Sequence, residues 1–134
     1  MTRKGLELQQ RLSEKVIGCE MEVHRVLGHG FLERVYESAL AIELGHVSVQ
    51  FERQKQIEVF YREQPVGEYC CDFVVENKLI LELKALRVTT SDHESQVLNY
   101  LKATNMTAGL LLNFGSARLG IRRLVLNHDD LDPI

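Results

Sequence analysis

Residues 107–115, Thr-Ala-Gly-Leu-Leu-Leu-Asn-Phe-Gly, form a near-continuous apolar run. A segment of that kind reads as a strand buried on both faces. The surrounding chain must supply the partners of such a strand.

Over residues 8–27, Leu12, Val16, Cys19, Val23 and Leu27 recur every three to four positions, which predicts a helix. Ser13 is a weak candidate for a local cap. Gly28 and Gly30 then give the backbone freedom to stop and turn. A second helix is expected over residues 32–44, with Leu32, Val35, Tyr36, Ala39, Leu40 and Leu44 as its stripe and Gly45 as its C-cap. The period then drops to two. Ile57, Val59 and Tyr61 alternate with Glu58, Phe60 and Arg62, which predicts a strand. Residues 63–68 turn, with Pro65 and Gly67 as punctuation. Residues 68–76 and 78–86 give two further strands across a short loop, Glu76 to Lys78. A helix follows within residues 90–105, capped by Ser91 or Asp92. The apolar run is next, and residues 120–127 give a last strand. The order ααβββαββ describes one α/β (α+β) domain with a mixed sheet, and 134 residues suit one domain.

Composition excludes several classes. No apolar run approaches the roughly 18 residues that span a membrane. The polar N-terminus lacks the apolar segment of a signal peptide, so a cytoplasmic location is expected. Cys19, Cys70 and Cys71 make neither a disulfide framework nor a zinc motif, and all three are expected as buried, reduced thiols. A net charge of −3 argues against broad, charge-driven binding of nucleic acid. It leaves a local basic groove open.

The chemistry concentrates in residues 72–85, Asp-Phe-Val-Val-Glu-Asn-Lys-Leu-Ile-Leu-Glu-Leu-Lys-Ala. Glu82 and Lys84, two apart on a strand, share one face, and the leucines take the other. If the hairpin turns through the three residues Glu76 to Lys78, Asp72 lies opposite Glu82, with Cβ atoms roughly 5 Å apart. A two-residue turn would instead set Asp72 against Leu81. Two carboxylates so close need positive charge between them. Magnesium or manganese, held by a few carboxylates and water, is one solution. Lys84 could then serve an attacking hydroxide or a phosphate. The same spacing also fits an exposed salt-bridge face.

The flanking motifs point to a family. Gly30-Phe-Leu-Glu33-Arg-Val-Tyr36 resembles the signature of the GxxExxY family. Asp72 with Glu82-Leu83-Lys84 resembles the D…ExK core of the PD-(D/E)XK nuclease superfamily, in which that family is placed. Gln96-Val-Leu-Asn-Tyr100 resembles the helix motif of its RecB-like and lambda-exonuclease-like branch. The resemblance implies a restriction-endonuclease-like fold, a central mixed sheet flanked by helices. It implies Asp72, Glu82 and the Leu83 carbonyl as metal ligands, and Lys84 as the residue serving the nucleophile. Glu33, ahead of Glu37, would complete the metal site, and Gln96 and Tyr100 would border it. The implied activity is magnesium-dependent cleavage of nucleic acid, DNA before RNA, with a homodimer as one way to embrace a duplex. A non-catalytic binding module and a small-molecule nucleotide hydrolase are the competing readings.

Other residues carry weaker signals. Tyr36 falls on the apolar stripe and reads as core. His24 reads as a partly buried structural histidine, and His93 as a solvated one. Asn113 either reaches the site or ends its strand. Arg118, Arg122 and Arg123 read as a solvated edge or as a phosphate patch. Residues 127–134 form an acidic tail.

Overall fold

The structure, a computed structural model, describes residues 2–127. Two helices, α1 (Arg3–Leu27) and α2 (Glu33–His46), precede three strands, β1 (Phe51–Tyr61), β2 (Gln64–Val75) and β3 (Leu79–Lys84). Helix α3 (Ser91–Thr104), β4 (Ala108–Asn113) and β5 (Gly120–Val125) complete the chain. The expected order ααβββαββ is the observed one. The acidic tail expected beyond Asn127 lies outside the described residues.

The five strands form one mixed sheet in the order β1-β2-β3-β4-β5. Only β3 and β4 are parallel, and α3 makes the crossover between them. All six residues of β4 are buried, as its uninterrupted apolar sequence requires. Helices α1 and α2 cover one face, packing Val16, Val23, Tyr36 and Leu40 against Leu79, Leu81 and Leu83 of β3. Helix α3 covers the other, where Tyr100 and Leu101 meet Ile80, Val74 and Ile57. Successive side chains of β3 thus enter opposite cores, as strand geometry dictates.

Several boundaries differ from the sequence expectation. Helix α1 starts at Arg3, because the Thr2 hydroxyl caps it by accepting from the N–H of Gly5 at 3.0 Å. Ser13 is therefore no cap. It is buried inside the helix, where its hydroxyl donates to the Gln9 carbonyl at 3.1 Å. Gly45 lies within α2, and Val47 is the C-cap. Leu32 is exposed and is the N-cap, one position ahead of α2. Pro65 and Gly67 belong to β2, because the chain turns earlier through Arg62 and Glu63. Both take left-handed φ values, +48° and +67°, as a tight two-residue hairpin demands. Thr90, rather than Ser91 or Asp92, caps α3, and His93 Nδ1 closes the cap by accepting from the Thr90 N–H at 2.9 Å.

The β1–β2 ribbon is longer than its neighbour. Strand β2 pairs with β3 only over Phe73–Val75, so the stretch 64–71 has its ladder partners on the β1 side alone. Two irregularities shape this overhang. Gln54, at φ +49°, and Asp72 drop out of the ladder together. Beyond them the facing of the strand reverses: Cys71 enters the α3 core, while Phe73, two residues on, enters the α1/α2 core. A second shift falls between Val59 and Phe60.

Candidate functional site

The site forms where β2 and β3 part. Their pairing runs Val75–Leu79, Val74–Ile80, Phe73–Leu81, the register of a three-residue loop. Carried one step further, that register sets Asp72 against Glu82. Here side chains replace the ladder. The Asp72 N–H donates to the Glu82 carboxylate at 2.9 Å, and the Leu83 N–H donates to the Asp72 carboxylate at 2.8 Å. Each acid is thereby fixed by a backbone group on the opposing strand.

Burial sets the electrostatics. Glu82 is 4% exposed, and this burial, with Asp72 beside it, pushes its pKa up to about 8. Asp72 is half-buried, and its carboxyl is likewise raised, mainly by burial, despite the lowering bonds from Leu83 and Gln54. Glu33 stands near by on the first turn of α2. Its carboxyl is raised by burial and then by the charge of Asp72, although the residue as a whole is exposed. Lys84 is the opposing charge, close enough to pull all three pKa values down. The structure thus brings Asp72, Glu82, Lys84 and Glu33 to one place.

Glu37 is placed differently. It pairs with Arg53 at 3.1 Å and also accepts from the Gln54 amide, which reaches Asp72 at 3.2 Å as well. Glu37 therefore holds the rim of the site through Gln54. Gln54 and Arg53 were not singled out from the sequence. The positive φ that brings Gln54 here leaves no local sequence signal.

The loop before α2 explains the spacing of Gly30, Glu33 and Tyr36. Gly30 takes φ +112°, open to glycine and strained for other residues. Tyr36 is fully buried and stacks on Phe114 with centroids 4.6 Å apart. Its hydroxyl donates to the Gly28 carbonyl at 2.8 Å and accepts from the Phe31 N–H at 3.2 Å. Tyr36 thus ties down the loop that leads into Glu33, as a core residue.

On the other side, Gln96 and Tyr100 sit one turn apart on α3. The Gln96 amide donates to the Tyr100 hydroxyl at 3.0 Å. Burial and the nearby charge of Glu82 push the Tyr100 phenol up to about 12, so it stays protonated. Asn113 stands beside Lys84 in the parallel register, yet its amide is spent on the backbone. Its oxygen accepts from Leu86 and Gly115, and its nitrogen donates to the Leu86 carbonyl. A Cβ at Gly115 would collide with the backbone of Ala85 and Leu86. This close approach seats the segment that follows Lys84.

The remaining candidates are structural. His24 Nε2 meets the Ser116 carbonyl at 3.0 Å. His93 is the α3 capping partner rather than a freely solvated side chain. Arg122 pairs with Glu94 at 2.7 Å, and Arg123, its neighbour on β5, faces the opposite side. Cys19 and Cys71 are buried free thiols, but Cys70 is exposed, because the neighbouring Cys71 takes the inward position on the strand.

Hard oxygen donors suit a divalent cation such as magnesium. Two fixed carboxylates whose pKa values are raised chiefly by burial, with the charge of Asp72 adding to the shift of Glu82, match that chemistry. Among the described residues, no three His, Cys, Asp or Glu side chains are grouped closely enough to enclose a metal by themselves.

A search of curated protein sequences returns no match. A solved structure, "Crystal structure of SSO0001", superimposes with a TM-score of 0.57 at 15% identity, over 94% of this chain and 64% of the other. That likeness is one of fold, and this chain spans less than two thirds of the other protein. A family model described as the PD-(D/E)XK nuclease superfamily matches residues 10–124. The match runs through the Asp72–Glu82 hairpin, Lys84 and α3, and the five-stranded mixed sheet flanked by helices agrees with a restriction-endonuclease-like fold; the chain belongs to the PD-(D/E)XK nuclease superfamily.

Proposed function

We propose that this protein is a metal-dependent nuclease of the GxxExxY branch, hydrolysing phosphodiester bonds in nucleic acid, DNA in preference to RNA. The observation that carries the reading is the crossed pair of bonds, from the Asp72 N–H to the Glu82 carboxylate and from the Leu83 N–H to the Asp72 carboxylate, which fixes two carboxylates side by side with Lys84 near by. Asp72, Glu82 and the Leu83 carbonyl are the assigned ligands of magnesium or manganese, with Glu33 ahead of Glu37 as the helix contribution. Such a cation, when bound, lowers the pKa of water and screens phosphate charge.

The chain's own residues then have separate tasks. Asp72 and Glu82 supply negative charge that must be neutralised before both can ionise. Lys84 carries the positive charge that orients the attacking water and meets the charge developing on phosphate. Gln96 and Tyr100 form the α3 border, with the phenol as a proton-bearing donor.

The test is incubation of purified protein with labelled DNA and RNA panels in magnesium or manganese. Cleavage that falls at least about 100-fold in Glu82→Ala and Lys84→Ala proteins supports the proposal. Cleavage unchanged in both variants overturns it. Binding without turnover in the wild-type protein identifies a non-catalytic binding module.

A further inference from the structure

A groove of about 630 Å3 runs beside the carboxylate site, between the β1–β2 overhang and α3. Its two walls differ in chemistry. The ribbon wall is apolar and aromatic, made of Val59, Phe60 and Tyr69. Val59 and Phe60 are consecutive, and a regular strand would send them to opposite faces. The register shift between them is the kind of irregularity that re-aims a side chain, and both residues line the groove. Phe60 and Tyr69 remain 56% and 55% exposed, so large rings stand open to solvent across the groove from a helix.

The helix wall is polar. Asp92, Ser95, Gln96, Asn99 and Lys102 share one face of α3. Among the described residues, Ser95 and Asn99 spend no side-chain hydrogen bond within the protein. The groove is also continuous with the acidic site. Tyr100 makes the link: it lines the groove, its ring centroid lies 6.1 Å from that of Tyr69, and its phenol feels the charge of Glu82.

We infer that this groove is a subsite for an unpaired nucleobase, stacked on Tyr69 and Phe60 and hydrogen-bonded by the α3 amides. Open aromatic rings facing amide and hydroxyl groups are how proteins hold a base that has left its helix. A paired base offers neither its faces nor its Watson–Crick edge to such walls. Lys102 supplies positive charge at the C-terminal end of this helix face for the strand's backbone, with Asp92 at the opposite end. The placement of this base next to a scissile phosphate rests on the nuclease reading; the stacking itself does not. The preferred substrate is therefore a single strand or a frayed end rather than an intact duplex.

The experiment uses the wild-type chain and a Phe60→Ala/Tyr69→Ala variant, with the Tm of both recorded. Each is titrated, with EDTA present, into a single-stranded oligonucleotide carrying 2-aminopurine and into the same oligonucleotide in a blunt duplex. The expected result is quenching of the single strand by the wild type, with affinity about 5- to 150-fold weaker in the variant. Absent quenching, or quenching equal in both proteins, overturns the inference. Cleavage assays in magnesium separate the two readings. Variant-sensitive quenching without cleavage of any strand upholds the groove and sinks the nuclease. Cleavage of single strand and duplex alike, unchanged by the variant, sinks the groove and upholds the nuclease.

Discussion

Asp72 and Glu82 are joined across the hairpin by a backbone N–H of one strand donating to the carboxylate of the other, at 2.9 Å. A second bond, from the Leu83 N–H to Asp72 at 2.8 Å, returns in the opposite direction. The two acids are thus rigid before any ligand arrives, and their repulsion is built into the folded state. Both carboxyls are raised, as is Glu33, and this fixes the sign of the pH dependence. A carboxyl raised on folding contributes full stability below its unfolded pKa and loses it as pH climbs to the folded value. For Glu82 the loss runs from about 4.5 to about 8. The metal-free protein should melt lower at pH 8 than at pH 5. Magnesium or manganese should reverse this, adding about 2.7 kcal/mol at a concentration roughly 100-fold above Kd. In Glu82→Gln protein the metal-free Tm at pH 8 should rise and the cation shift should shrink. Thermal melts with and without EDTA measure both; a cation shift of equal size in the variant would refute the ligand assignment.

Glu33 and Glu37 can be separated experimentally. Glu37 is already held by Arg53 and Gln54, whereas no hydrogen bond or ion pair engages the Glu33 side chain among the described residues. Glu33→Gln should weaken the cation response by about 10-fold or more in Kd, while Glu37→Gln should change it less. Calorimetric or melt-based titration with manganese gives the ranking. The reverse order would show that Glu37 leaves its partners to join the site.

Tyr36 predicts a stability effect with a functional consequence. Tyr36→Phe keeps the stack on Phe114 but removes the hydroxyl from Gly28 and Phe31. The cost should be about 1–3 kcal/mol, the range for stranding buried polar groups. Denaturant unfolding measures it. The same variant should weaken the cation response through Glu33, whose loop it loosens.

Glu20 is the buried acid that the site does not use. It is fully buried on α1, neither carboxylate oxygen has a hydrogen-bond partner, and burial pushes its pKa up to about 9. By the same sign rule it costs stability increasingly from about pH 4.5 to about 9. Glu20→Met should raise the Tm, and more at pH 8.5 than at pH 5.5. A uniform gain at both values would mean that Glu20 is neutral throughout or finds a partner.

Much of this protein was legible from local pattern. The helical recurrence of Leu12, Val16, Cys19 and Val23, the alternation around Ile57, and the apolar run before Asn113 each predict an element the fold contains. These are local signals, because a 3.6 or 2.0 period reports which face must leave water. The hairpin was legible too, but its turn length was open between two and three residues; the structure has the three-residue loop Glu76–Lys78, which sets Asp72 against Glu82. Residues whose roles depend on distant partners were not legible. Gln54 and Arg53 act on Glu37 and Asp72 through a break in the ladder. The role of Asn113 depends on Leu86, whose backbone takes up its amide from 27 residues away in the chain. Cys70 faces outward because its neighbour is claimed by the α3 core. The sequence by itself determined the elements and narrowed the acidic pair to one of two hairpin registers. Tertiary structure decided how Glu33 and Tyr100 converge on that pair, and why Val59 and Phe60 share a groove, because both depend on packing between segments far apart in the chain.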